Sequence, residues 1–116
     1  MRAARTDANQ SAIVDALRRA GCSVQDLHEV GQGCPDLLVG VPYYLSPPGP
    51  TNILLEVKSA HGKLNEREAA WHAEWRGQVA VVRSVDEALA AVGILDGSDR
   101  REKSPAYSGQ EKGESE

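Results

Sequence analysis

Asp36, Glu56 and Lys58 are charged residues set into two runs otherwise rich in Leu, Ile and Val. The first run is Pro35-Asp36-Leu37-Leu38-Val39-Gly40 and the second is Asn52-Ile53-Leu54-Leu55-Glu56-Val57-Lys58, with a Pro/Gly/Tyr segment over residues 41–51 between them. Short β-branched and Leu-rich runs bounded by Gly and Pro read as two buried strands joined by a loop, an antiparallel hairpin. Side chains alternate across a strand, so Asn52, Leu54, Glu56 and Lys58 share one face and Ile53, Leu55 and Val57 the other. The hairpin returns the end of the second run to the start of the first, which brings Asp36 to Glu56 and Lys58.

Carboxylates are almost never buried without a partner, because an ion taken out of water costs several kcal/mol even after relaxation. Two carboxylates a few ångströms apart form a hard-oxygen site of the kind Mg²⁺ accepts, with water and substrate phosphate completing its shell. The neighbouring Lys58 would then orient or deprotonate a water, or neutralise charge developing on phosphorus. The same spacing also describes a purely structural ion-pair cluster of Asp, Glu and Lys. Spacing alone leaves both readings open.

Pro35-Asp36, a loop, and then Glu56-Val57-Lys58 at a strand end resemble the signature of the PD-(D/E)XK nuclease superfamily, and an apolar residue, Val57, stands at its X position. Residues 5–93 look like the small phage and prophage members near the VRR-NUC and Holliday-junction-resolvase-like groups. The resemblance implies a restriction-endonuclease-like α/β core. It also implies Mg²⁺, with Mn²⁺ able to substitute, held by Asp36, Glu56 and the backbone carbonyl of Val57, and catalysis by Asp36, Glu56 and Lys58. The implied activity is metal-dependent hydrolysis of DNA phosphodiester bonds. Small size points to recognition of DNA structure, such as a junction, flap or nick, rather than of a palindrome. The rival class is a noncatalytic nucleic-acid or protein-binding module that keeps this fold.

Members of that superfamily often place a Glu or Gln from the first helix at the metal, which makes Gln10 an auxiliary candidate and Asp7 a second. Both also serve a simpler role as a helix cap. The family commonly carries Gln at the position of Glu68, so this chain departs from the pattern there. Glu68 either reaches a metal through water, pairs with Lys58, or is a half-buried surface residue.

The elements that must hold these groups are legible along the chain. Residues 1–6 read as a basic arm with Arg2 and Arg5 available to phosphate. Asp7-x-x-Gln10 fits a capping box, and Ile13, Val14 and Leu17 recur at helical spacing up to Gly21. A first strand is expected over residues 22–30, and Gly31-Gln32-Gly33 turns the chain with glycines that permit positive φ and close backbone approach. Tyr43 and Tyr44 enter the Pro-rich loop, where they either stack on an unpaired base or cover a sheet edge. His61 and Lys63 follow Lys58 as rim cations for phosphate, or as ordinary mobile surface residues.

A helix capped by Asn65 and stopped by Gly77 carries Leu64, Glu68, Trp71 and Trp75 on one stripe, which is expected to be buried. A wholly apolar strand after Gln78 and a second capping box at Ser84-Val85-Asp86-Glu87 complete the order α-β-β-β-α-β-α, a mixed central sheet flanked by helices.

The chain has 116 residues, which suits one domain over residues 1–95, and the polar segment 96–116 reads as a disordered tail. With 13 Lys and Arg against 17 Asp and Glu the net charge is −4, which argues against a nonspecific DNA coat. Cys22 and Cys34, without a Cys-x-x-Cys pair, form neither a disulfide framework nor a zinc site. No run approaches the ~20 apolar residues of a membrane span, and the expected location is the cytoplasm. The expected partners are DNA and a second copy in a homodimer, with no membrane.

Overall fold

The computed structural model describes residues 2–45 and 51–94, and for residues 2–7 the backbone alone. The expected tail, residues 96–116, lies outside the described residues. The elements run α1 (Arg2–Arg19), β1 (Ser23–Asp26), β2 (Leu37–Val41), β3 (Thr51–Val57), α2 (Glu66–Glu74), β4 (Val79–Val82) and α3 (Val85–Ala91). The protein is thus α/β, with one four-stranded mixed sheet in the order β1-β2-β3-β4 and three helices.

The hairpin at the centre of the sheet follows from its sequence. β2 and β3 pair antiparallel with Leu37 opposite Leu55 and Val39 opposite Ile53, so the apolar residues of both strands meet on one face. Against that face pack Ile13 and Leu17 of α1 and Ala88 of α3, joined by Val57, Val82 and Val92 in one core. β4 pairs parallel to β3, with Val57 opposite Val82, which requires the crossover that carries α2. Leu54 and Glu56, on the other face of β3, are buried as well, which makes β3 a strand covered on both sides.

Helix ends obey local chemistry. α1 stops at Gly21 (φ +106), where Gly21 N–H donates to the Arg18 carbonyl and Cys22 N–H to that of Leu17. Gly93 (φ +87) ends α3 in the same manner, with Ile94 N–H reaching back to the Leu89 carbonyl.

Three local expectations are corrected. α1 begins at Arg2, so Asp7 and Gln10 lie inside the helix and form no cap, and the segment expected as a loose arm is helical from Arg2 onward. β1 is only Ser23–Asp26, because the Asp26 carboxylate takes the His28 N–H at 2.7 Å and turns the chain. Gly31, Gln32 and Gly33 then all adopt positive φ, a conformation no strand accepts. At α3, Ser84 does cap the helix by accepting from Glu87 N–H, but the Glu87 carboxylate takes the N–H of Arg83 rather than closing a reciprocal box on Ser84.

Among the described residues no helix is long and apolar enough to cross a membrane.

Candidate active site at the end of the central strand

One register step beyond the Leu37 and Leu55 pair, Asp36 stands opposite Glu56. Asp36 Oδ2 accepts the Val57 N–H at 2.7 Å, which fixes its carboxylate against the end of β3. Glu56 is 3 % exposed, and its Oε1 is buried with no hydrogen-bond partner. Lys58 Nζ lies 3.4 Å from Glu56 Oε2 and 2.8 Å from Glu68 Oε1. The structure therefore brings Asp36, Glu56, Lys58 and Glu68 together.

Glu68 does two jobs with one oxygen. As the third residue of α2 it closes a capping box with Asn65, whose Oδ1 accepts Glu68 N–H at 2.8 Å while Asn65 N–H donates to Glu68 Oε1 at 2.9 Å. The same Oε1 accepts from Lys58. The start of α2 is thereby tied to the end of β3. A second tie comes from Gly33 (φ +84), where a Cβ would lie 2.5 Å from the Arg67 carbonyl oxygen. Only glycine fits where the loop leading to Asp36 touches the first turn of α2.

Electrostatics follow from burial and crowding. Burial, then the Asp36 and Glu68 charges, push Glu56 up to about 8, with Lys58 pulling the other way. Asp36 is also raised, chiefly by burial, against the Val57 N–H that favours its charge. Burial alone would lower Lys58, but the Glu68 hydrogen bond and the Glu56 charge outweigh it and raise it above the ordinary lysine value. Partial burial would raise Glu68, yet the hydrogen bonds from Lys58 and Asn65 hold it low. At neutral pH without metal the Asp36 and Glu56 pair thus holds a proton between them, beside an ammonium on Lys58 and a carboxylate on Glu68. Cys34 is raised by burial and then by Glu56 and Asp36, which keeps it a thiol.

The other expected residues lie elsewhere. Gln10 lines a cleft of about 380 Å³ between α1 and the β1 side of the sheet, with Ser11, Arg18 and Val24. The helix residue that does reach the strand ends is Asn9, whose Nδ2 donates to the Lys58 carbonyl at 3.0 Å and to the Arg83 carbonyl at 3.2 Å. Its signal was present, since Asn9 precedes Ile13 and Leu17 by four and eight residues and prolongs their buried ridge. Tyr43 and Tyr44 are exposed and follow β2, at the end of the sheet away from Asp36. Any base stacked on this pair would therefore lie at the opposite end of the sheet from Asp36. His61 and Lys63 are exposed on the connection after Lys58. The side chains of Arg2, Arg5 and Asp7 lie outside the described residues.

Asp36 and Glu56 supply an oxygen-only donor pair, and the Val57 carbonyl ends the same strand. That set suits Mg²⁺ or Mn²⁺ rather than Zn²⁺, which favours sulfur and nitrogen. Among the described residues no group of three or more His, Cys, Asp or Glu side chains gathers to hold a metal ion by itself, so a cation here would rely on two carboxylates, backbone and water. Compared with known family models, curated proteins and solved structures, the chain matches none.

Proposed function

We propose that this protein is a metal-dependent nuclease that hydrolyses DNA phosphodiester bonds, on a core of the restriction-endonuclease type. The observation that carries the reading is the pair itself: Glu56, 3 % exposed at the end of β3, set beside the second carboxylate of Asp36. Two buried carboxylates this close must hold a proton in place of a cation, and a cluster kept only for stability gains nothing from the second acid. A divalent cation would take the place of that proton and offset the burial and the neighbouring negative charge that raise Glu56.

Asp36, Glu56 and the Val57 carbonyl would hold Mg²⁺, with Mn²⁺ substituting. Once bound, such a cation supplies charge neutralisation at phosphate and a more acidic water. The chain's own groups do the rest. Val57 N–H holds the Asp36 carboxylate in one orientation. Glu56 surrenders its proton to solvent when the site loads. Lys58, kept protonated by Glu68, is a fixed positive charge that would orient the attacking water and meet phosphate oxygens. It is too strongly held as an ammonium to be the base.

The described residues form a single sheet-and-helix unit, which supports selection of DNA by structure, at a junction, flap or nick. The test is incubation with branched, nicked, linear and single-stranded DNAs in Mg²⁺ and in Mn²⁺. Cleavage that disappears in Asp36→Asn and Glu56→Gln is expected. Calorimetric metal binding without cleavage of any DNA would leave a noncatalytic module instead.

A further inference from the structure

We infer that Trp75, stacked on Trp71, is a platform for an unpaired base of a single DNA strand running past the candidate site. The inference deepens the nuclease reading and rests on it for the identity of the strand.

The buried stripe expected on this helix is corrected: α2 buries none of its residues, Trp71 is only half-buried and Trp75, its C-cap, is exposed, so neither tryptophan is core. They lie on each other instead, with ring centroids 4.7 Å apart and planes 20° from parallel. Trp75 stays 44 % exposed. Its indole is nevertheless held in place. One face rests on Trp71, and its edge lies against Gly77, where a Cβ would be 2.9 Å from Trp75 Nε1. An indole fixed on two sides and open on the third presents a flat π surface at little entropic cost.

Position and charge argue for a nucleic acid strand as its occupant. Glu68, which grips Lys58, is three residues before Trp71 and seven before Trp75. At 1.5 Å per residue, Trp75 lies roughly 10 Å along the helix from the Lys58 clamp, about three stacked base steps. Arg67, exposed, shares the ridge of Trp71 and Trp75, and exposed Arg76 follows it. Glu66 and Glu74 fall on the neighbouring ridge with Ala70. Exposed cations on the same helix surface as an open aromatic face suit a strand that carries both phosphates and unpaired bases. A duplex base hidden in its stack gains nothing from such a surface, so the platform selects DNA with an unpaired stretch beside the scissile bond.

The experiment measures binding of short oligothymidylate and of an abasic strand of equal charge to the full chain in EDTA, by tryptophan fluorescence and anisotropy. Bases should quench the fluorescence and bind at least about fivefold more tightly than the abasic strand, and Trp75→Ala should erase that difference while Trp75→Tyr retains most of it. Equal binding of both strands by wild type, or an unchanged preference in Trp75→Ala, would overturn the platform. A change of particle mass in Trp75→Ala without a change in strand preference would mark the patch as a protein contact and overturn it as well. Because the assay contains no metal, it separates the two ideas. A lost preference with no cleavage of any DNA would sink the nuclease reading alone, and cleavage with no base preference would sink the platform alone.

Discussion

In the unfolded chain Glu56 ionises near its ordinary 4.5, whereas in the folded protein it holds its proton to about 8. Between these values the unfolded state releases a proton that the folded state keeps, so Glu56 contributes stability that is complete below pH 4.5 and lost as pH rises to about 8. The metal-stripped protein should therefore melt lower at pH 8.5 than at pH 5, by an amount on the order of 10 °C. Glu56→Gln should flatten that slope, and a flat wild-type profile in EDTA would contradict the burial argument. Adding Mn²⁺ should restore stability at high pH, and at neutral pH its binding should release a proton, because metal and proton compete for one carboxylate. The same competition sets the outcome for catalysis. Asp36→Asn, Glu56→Gln and Lys58→Ala should each remove cleavage, yet at pH 8.5, where Glu56 is charged, the two carboxylate variants should melt no lower than wild type in EDTA, since each relieves repulsion between the two acids. A carboxylate variant that still cuts DNA would end the assignment. These residues were legible because charge inside a Leu/Ile/Val run is conspicuous. The Lys58 clamp was legible only as one of several alternatives for Glu68, since sequence spacing cannot say which side chain a third carboxylate will meet.

At the scale of elements, the start of α2 is the part that the site depends on and the part least anchored by apolar burial. It is fastened by the capping box of Asn65, the Lys58 ion pair and the close passage of Gly33 under the Arg67 carbonyl. Gly33→Ala adds a Cβ 2.5 Å from backbone oxygen at φ +84, so neither the loop nor the helix can yield without moving Asp36 or Glu68. The variant should lose about 1–3 kcal/mol in urea unfolding and most of any cleavage. Asn65→Ala, which removes the cap alone, should cost about 1 kcal/mol and leave the larger share of activity. Equal effects from both would mean that the Gly33 contact positions nothing. The contrast also explains which elements could be read in advance. β2, β3 and β4 announce themselves by apolar runs between Gly and Pro, and α2 and α3 by Asn65 and Ser84. The start of α1 could not be read, because Asp7-x-x-Gln10 has the composition of a cap while Ala3 and Ala4 before it continue a helix equally well. β1 stopped short because a single side chain, Asp26, captured the His28 N–H. Asn9 carries no chemical signal of its own beside Asp7 and Gln10, whose types and spacing fit a cap or a metal. Its amide instead ties α1 to the ends of two parallel strands.

For the molecule as a whole, the sheet sets the candidate site and the tyrosine pair at opposite ends. Asp36 precedes β2 and Tyr43 follows it, a separation of roughly 20 Å at about 3.3 Å per residue. Tyr43 and Tyr44 are 64 % and 66 % exposed and meet edge to face at 6.0 Å, a rigid aromatic pair of the kind enriched at the centres of protein interfaces. Branched DNA offers two equivalent strands, and a two-fold dimer matches them with two equivalent sites. If the tyrosines form that contact, each site faces away from the axis and the two stand at least about 40 Å apart, roughly twelve base pairs of duplex. The expected outcome is a particle of twice 12.5 kDa in light scattering at micromolar concentration, and paired cuts on a branched substrate spaced by about that distance. Tyr43→Ser with Tyr44→Ser should return the particle to monomer mass and leave single cuts. A monomer that persists with and without DNA would exclude the dimer. A dimer indifferent to both substitutions would exclude this surface, and cuts only a few base pairs apart would require the two sites to face each other across a different contact.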